Sequence, residues 1–551
     1  MKKTQVASKA PRTPKAPTAP AAPAAPAAPG SPRKPSAPSK PSKPSKPSAP
    51  NEPSEPSELS TPIAPIAPIA ATSHEDVPMR LIWISMAACL ITVQYGYNMW
   101  LLYTPFVLLH DLFNITTYEE MEDPGSQMYI VAITLALFPL GAIFGSIPVG
   151  YLANRFGRKG AVKITTFLSL IPPVLLAVGN KVNVYEFTIA VRFYTGVCTG
   201  LISVVVPLYL GEIAPGSMRA AIVMMSQLFY SLGLFMGQLI VAKDNFKMRG
   251  GYVIVMGISG VMPIFQIILL PFFPESPRYL LIQRKNAESA REELKVLRGK
   301  DDVENEMNEL RQEDLFEKAE KNMTAAKLLS SPNLRFQVIT IVVLTGGAQL
   351  DGIGAVHYYV DIICMAAGAD EKMLQWLRMV TIIIGLISLL IAMYLADSKG
   401  HRYLLLTGFL MCSIVCVLLT MALEMQVTID EMAYVNILLV QVFVIAHSVG
   451  PGPLPNVIVV AMFLQSSRAS AFVIAGFVQW FTHFLMMMVF LQIVTKIGTY
   501  SFLMFLPFCG GLFIYIFKNF PETKNRTFVD IRRIIALQKL RKTKLKKPTE
   551  K

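Results

Sequence analysis

Between two long apolar runs the chain reads NRFGRKG (residues 154–160), and a similar short basic turn returns as SKGHR (398–402). Further along, PFFPESPR (271–278) is echoed by PETK (521–524). Gly157-Arg158-Lys159 and Gly400-His401-Arg402 lie 243 positions apart, and Pro274-Glu275 and Pro521-Glu522 lie 247 apart. Two motifs recurring in the same order at nearly one offset make the chain a tandem repeat. What lies between the motifs decides what is repeated.

The chain has 551 residues, 53% of them apolar and only 16% charged, with a mean hydropathy of +0.45. From Leu81 onward about twelve apolar runs approach the ~20 residues a helix needs to cross ~30 Å of hydrocarbon. They fall near 81–103, 128–151, 161–179, 185–210, 219–241, 251–273, 334–364, 373–396, 402–423, 433–464, 469–495 and 499–519. Backbone groups in lipid have no outside partner, so each run is expected as a helix. Six runs precede the charged stretch 275–333 and six follow it, so each repeat is a six-helix bundle. The first run lies behind a long polar tail and has the form of an uncleaved anchor.

Lys and Arg in short loops set orientation. NRFGRKG, SMRA (217–220), SKGHR and QSSR (465–468) alternate with loops poor in basic residues. Both termini and residues 275–333 are therefore expected in the cytoplasm. The first loop then lies outside, where Asn114-Ile115-Thr116 is a glycosylation acceptor. The formal charge of +14 follows from this sidedness, and nucleic-acid binding is not expected. The six cysteines lack disulfide or metal-ligand spacing. There is no phosphate-binding loop, metal cluster or nucleophile triad, so neither an enzyme nor a cofactor is expected.

The organisation follows. Residues 1–77 are a disordered Pro/Ala/Ser/Lys-rich tail, a plausible ligand for SH3-type domains or anionic lipid. Residues 78–274 form the first bundle, 275–333 a linker of charged amphipathic helices, 334–519 the second bundle, and 520–551 a basic tail.

The ordered motif set resembles the sugar-porter family of the major facilitator superfamily, in particular its facilitative, fructose-type hexose transporters. The resemblance rests on QYGYN (94–98), NRFGRKG, VPLYLGEIAP (206–215), PFFPESPRYLLIQ (271–283), RQEDLFEKAE (311–320), GPGPLP (450–455), FLQSSR (463–468) and PETKNRTF (521–528). It implies an all-α membrane protein of the major facilitator fold: two six-helix bundles, twelve transmembrane helices, and a cytoplasmic helical linker. It also implies a plasma-membrane carrier that moves a sugar through a mid-bilayer site between the bundles.

Residue by residue, the resemblance implies substrate contacts from Gln94, Gln227, Gln238, Gln349, His447 and Trp480, with Gln479 and His483 beside Trp480 on one helix. Tyr358 and Tyr359 match the outer gate. A cytoplasmic ion-pair clamp is implied for Arg155, Arg158, Glu212 and Arg219, and in the second half for Asp397, Arg402 and Arg468. Sugars need amides that donate and accept, together with an aromatic platform. A lone intramembrane amide can equally bond one helix to the next.

Several positions depart from the family pattern. His401 stands where it has Arg and Ala461 where it has Glu, so the second clamp should be weaker. Ala348, Asp351 and Gly354 replace an amide, a hydroxyl and an amide; Gly385 replaces an amide, and Asn456 stands where glucose carriers have Trp. Asp351 is a carboxyl inside the membrane and so a candidate coupling acid. Asn98 occupies the position where proton-coupled members carry an acid, which favours uniport. Two rival readings remain: a carrier of another solute, such as urate, a polyol or a proton-coupled substrate, and a non-transporting sensor or scaffold.

Overall fold

The computed structural model describes residues 78–103, 136–175, 185–241, 257–317, 323–357, 360, 370–524, 526 and 528–546. The tail 1–77, Asn114, Tyr358 and Tyr359 lie outside them. Within residues 76–551, which form one compact unit, all regular structure among the described residues is helical.

The first half contains α1 (Met79–Tyr103), α2 (Ala136–Ser146), α3 (Val149–Leu168), α4 (Tyr185–Ile213), α5 (Arg219–Val241) and α6 (Val261–Leu269). The linker contributes α7 (Ala287–Arg298), α8 (Glu304–Glu317) and α9 (Ala325–Ser330). The second half contains α10 (Arg335–Gly347), α11 (Glu371–Lys399), α12 (His401–Gln426), α13 (Met432–Val449), α14 (Leu454–Met462), α15 (Gln465–Ile497) and α16 (Leu506–Asn519). A last helix, α17 (Phe528–Lys546), follows; it occupies the stretch expected only as a basic tail. Ile531 and Ile535, one helical turn apart, are its buried face.

Eight helices among the described residues are long and apolar enough to span a membrane, nine when the bent pair α2–α3 counts as one. The runs expected at 128–151, 161–179, 251–273 and 334–364 are not among the eight long spans of the described residues. The run 334–364 stops as a helix at Gly347, turns through 348–352 and resumes at 353. The run 433–464 is split at Gly450–Pro453 into α13 and α14. Gly352, with φ +105°, sits against the Phe505 ring, where a Cβ would stand 2.9 Å from Cδ2.

Small residues let the helices of the first half touch backbone to backbone. Gly141 and Gly145 on α2 face Gly196 and Gly200 on α4; a Cβ at any of the four would come within about 2.1 Å of a carbonyl oxygen of the partner helix.

The loops expected at NRFGRKG and SKGHR are each reduced to a turn at one glycine. Gly157 (φ +82°, ψ 177°) interrupts α3, and Gly400 (φ +95°, ψ 159°) separates α11 from α12. Both conformations are essentially restricted to glycine. Each turn is held by the glutamate of the second repeated motif. Glu275 Oε1 accepts the backbone N–H of Arg158 at 2.8 Å and of Lys159 at 3.1 Å. Glu522 accepts those of His401 at 3.0 Å and Arg402 at 3.2 Å. A carboxylate thus caps the positive end of the helix that starts after each glycine. Gly157→Ala is expected to cost about 2–3 kcal/mol, from backbone strain and because its Cβ would stand 2.2 Å from Glu275 Oε2. A thermal melt of the purified protein in detergent checks this.

In the linker, α7 buries Ala290, Leu294 and Leu297 and is capped by Asn286, which accepts the Ser289 N–H at 3.1 Å. Arg298 pairs with Glu306 at 2.7 Å and donates to the Ile213 carbonyl at the end of α4, 3.1 Å away. That contact ties the linker to the first half.

Candidate functional site

A polar cavity opens between the halves. Its wall draws Tyr95 from α1, Gln227 and Tyr230 from α5, Gln349 and His357 from the broken segment after α10, and Gly385 from α11. From α13 and α15 come His447, Gln479, Trp480 and His483. The cavity volume is about 110 Å³.

The aromatic side is built around Trp480. Its ring is buried, its Nε1 donates to Ser203 Oγ on α4 at 2.9 Å, and Tyr95 and Phe138 pack on it at centroid distances of 5.7 and 6.2 Å. Tyr95 in turn meets Tyr230 at 4.6 Å. On the polar side, His483 Nδ1 lies 3.1 Å from Gln349 Oε1, and His447 Nδ1 lies 2.5 Å from Asp351 Oδ2. No Lys, Arg, Asp or Glu is among the cavity's described lining residues. The wall therefore suits a neutral, polyhydroxylated solute with an apolar face.

Of the expected contacts, Gln227, Gln349, His447, Gln479, Trp480 and His483 line this cavity. Gln94 and Gln238 do not. Gln94 donates to the Ser169 carbonyl at 3.0 Å, and Gln238 donates to that of Gln375 at 3.0 Å. Helical phase turns both amides toward neighbouring helices. Tyr95, next to Gln94, occupies the cavity face instead, and an aromatic beside an intramembrane amide was the available signal. Asp351 is fully buried and outside the cavity lining, behind His447. Gly385 faces Val444 and Ser448, where a Cβ would stand 3.3 and 3.7 Å away, so loss of the family's amide there leaves space in the wall.

Beneath the cavity lies a charged network. Arg158 Nε meets Glu212 Oε2 at 2.7 Å with both side chains almost wholly buried, and Ser276 Oγ donates to the same Glu212 oxygen at 2.7 Å. Arg155 is exposed and its side chain contacts Tyr151, so it takes no part in that pair. In the second half the corresponding contact is uncharged: His401 Nδ1 lies 2.8 Å from Thr523 Oγ1. Arg402 donates to the Phe517 carbonyl at 2.7 Å, whereas the charge facing Asp397 is Lys524.

The two halves are joined through α8. Glu313 pairs with Arg278 below α6 and, at 3.5 Å, with Arg468 at the start of α15; Arg219 lies in the field of the same glutamate. These cations hold Glu313 below its ordinary pKa against the opposing effect of burial. One turn on, Glu317 Oε1 accepts the Ser466 N–H at 3.0 Å. Burial, reinforced by the nearby Glu313 charge, pushes the Glu317 carboxyl up to about 7.

A carboxyl with a raised folded-state pKa binds its proton more tightly folded than unfolded. Stability from this group therefore grows as pH falls from about 7 toward the ordinary carboxyl range, and is lost as pH rises through about 7. The melting temperature is expected to rise by several degrees between about pH 8 and pH 5. Glu317→Gln should remove that component, a difference that melts across pH would read directly.

Comparison with known proteins covers most of the chain. Residues 84–535 match the family model described as "Sugar (and other) transporter". The human protein named "Solute carrier family 2, facilitated glucose transporter member 5" is 40% identical over 448 residues, covering 80% of this chain and 89% of the relative. The mouse "facilitated glucose transporter member 7" is 38% identical over 442 residues, covering 80% and 86%. Among solved structures, the proton:xylose symporter XylE bound to 6-bromo-6-deoxy-D-glucose superposes with a TM-score of 0.73 at 22% identity, over 84% of this chain and 99% of that one. That match gives the chain the twelve-helix fold of the major facilitator superfamily. From residue 84 to residue 535 the chain is built as its relatives are, and it belongs to the sugar transporter family, as a multi-pass membrane carrier and not an enzyme.

Proposed function

We propose that the protein is a facilitative carrier of hexose, fructose and/or glucose, that works by alternating access. The observation that supports this best is the composition of the cavity wall. Amides and imidazoles from separate helices surround Trp480, and no Lys, Arg, Asp or Glu is among the described lining residues. Neutral hydroxyls can be exchanged between such groups and water at little net cost, whereas an anion such as urate would find no lysine or arginine there. The emphasis on fructose draws on His447, which matches the fructose-type pattern; the relatives, named as facilitated glucose transporters, support the hexose class.

In this reading 78–274 and 334–519 are the two moving bundles, and Gln227, Gln349, His447, Gln479, Trp480 and His483 hold the sugar. Tyr358 and Tyr359 close the outer side, while Arg158, Glu212, Arg219 and Arg468 close the inner one. Both termini lie in the cytoplasm, Asn114 is glycosylated outside, and the carrier works in the plasma membrane. Asn98 leaves the first helix without an acid, which favours uniport.

Full-length protein in proteoliposomes, with pH equal on both sides, tests the reading. Saturable fructose uptake that stops at equilibrium, with competition by other hexoses, is expected. Saturable urate uptake without hexose uptake would reassign the substrate. Absence of flux for every solute in correctly folded protein would make the chain a sensor or scaffold.

A further inference from the structure

The break after α10 puts a carboxyl behind the cavity wall. Asp351 has no exposed side-chain surface, and its Oδ1 accepts the Ile353 N–H at 3.0 Å. Its Oδ2 lies 2.5 Å from His447 Nδ1. His447 lines the cavity, and Gly452 faces the other ring nitrogen: a Cβ there would stand 2.9 Å from Nε2. Only glycine leaves that approach open. The pair therefore spans from a dry carboxylate to a wet imidazole edge.

Among the described residues, no fixed positive charge faces Asp351 to balance it. The titratable groups around the pair are Cys412 and Cys416 on α12, Cys509 on α16, whose Sγ lies 3.6 Å from the Asp351 carbonyl oxygen, and His357 on the same broken segment. None is a lysine or arginine. An ionised carboxylate beside a neutral imidazole would leave a net negative charge in the membrane interior, which low dielectric resists. A proton on the ring cancels that charge and keeps both hydrogen bonds to the carboxylate.

We propose that Asp351 and His447 form a proton-binding site in the cavity wall and that the sugar is held by its protonated form. Protonated, His447 keeps Nδ1–H on Asp351 and presents Nε2–H to a sugar hydroxyl oxygen, a charge-assisted bond. Deprotonated, the same nitrogen offers only a neutral lone pair. The difference between charge-assisted and neutral hydrogen bonds corresponds to about fivefold in affinity. By linkage, sugar binding must promote proton uptake to the same extent. Asp351 is then a positioning residue, acting on the sugar through His447.

The inference rests on the hexose-carrier reading, and its test separates the two. The KM for fructose uptake is measured in proteoliposomes from about pH 5.5 to 9, equal on both sides, for the unmodified protein, Asp351→Asn and Asp351→Ser. Serine restores the family's hydroxyl, so this variant is compatible with the fold. KM is expected to rise about fivefold toward alkaline pH, and in both variants that rise should begin at lower pH. Fructose added to weakly buffered protein in detergent should also raise the bulk pH, and should do so less near neutral pH in the variants. Fructose flux with the same pH dependence in all three proteins, or with none, would overturn the proton site while leaving the carrier intact. Loss of all hexose flux in the unmodified protein would overturn the carrier reading itself.

Discussion

Arg158→Ala is expected to abolish transport and lower the stability of the purified protein by about 3–5 kcal/mol, the range for breaking a buried ion pair. Arg158 and Glu212 meet at 2.7 Å with 1% and 0% of their side chains exposed. The guanidinium also donates to the Ala153 carbonyl at 3.2 Å and to Gln283 Oε1 at 3.0 Å, and it stacks 4.8 Å above the Tyr279 ring. Without it Glu212 is a buried carboxylate whose sole remaining hydrogen-bond donor among these contacts is Ser276. Removing both partners is a different perturbation, because no charge is then stranded. The second half already carries this arrangement, with His401 and Ala461 where the family has Arg and Glu, and a neutral contact from His401 to Thr523. Arg158→His combined with Glu212→Ala should therefore recover much of the stability that the single alanine loses. A melt in which the double variant is worse than the single would contradict this account.

The second large effect is expected at Gln349. Its Oε1 lies 3.1 Å from His483 Nδ1, and His483 Nε2 is buried without a partner among the described residues. Gln349→Ala removes an amide from the wall and leaves the imidazole unsupported at both nitrogens. Losing one satisfied buried polar contact costs about 2 kcal/mol, so kcat/KM for hexose uptake should fall about 30-fold with expression at the membrane unchanged. Gln94→Ala is the informative contrast. Gln94 bonds the Ser169 carbonyl of an adjacent helix, so its loss should lower the melting temperature and leave KM near its original value. Equal effects of the two variants on KM would mean that the cavity is not where the sugar sits.

The two glutamines show where reading the chain alone succeeds and where it stops. Both were legible as intramembrane amides on motif positions. The direction of each was not, because a single residue's rotation about a helix axis depends on how that helix packs against its neighbours. The repeat was legible from the offsets of Gly157 with Gly400 and Pro274 with Pro521. That Glu275 and Glu522 each reach back to cap the helix beginning at the repeated glycine was not. The equal spacing of the paired motifs was the clue to that contact. Arg155 fails for the same reason as Gln94: it lies three positions from Arg158, but on the exposed side of a turn that points Arg158 inward.

Run length, hydropathy and the repeated basic turns by themselves determined that this is a helical membrane protein of two related halves. Lipid offers the backbone no hydrogen-bond partner, and each long apolar run has essentially one way to satisfy itself. Only the tertiary structure decided which polar groups share the cavity and which bond helix to helix. It alone brought Asp351 onto His447, 96 residues away. The break at 348–352 ends the regular helical phase, so what a side chain beyond it meets is set by packing against α13, α12 and α16 and not by its spacing from Gln349.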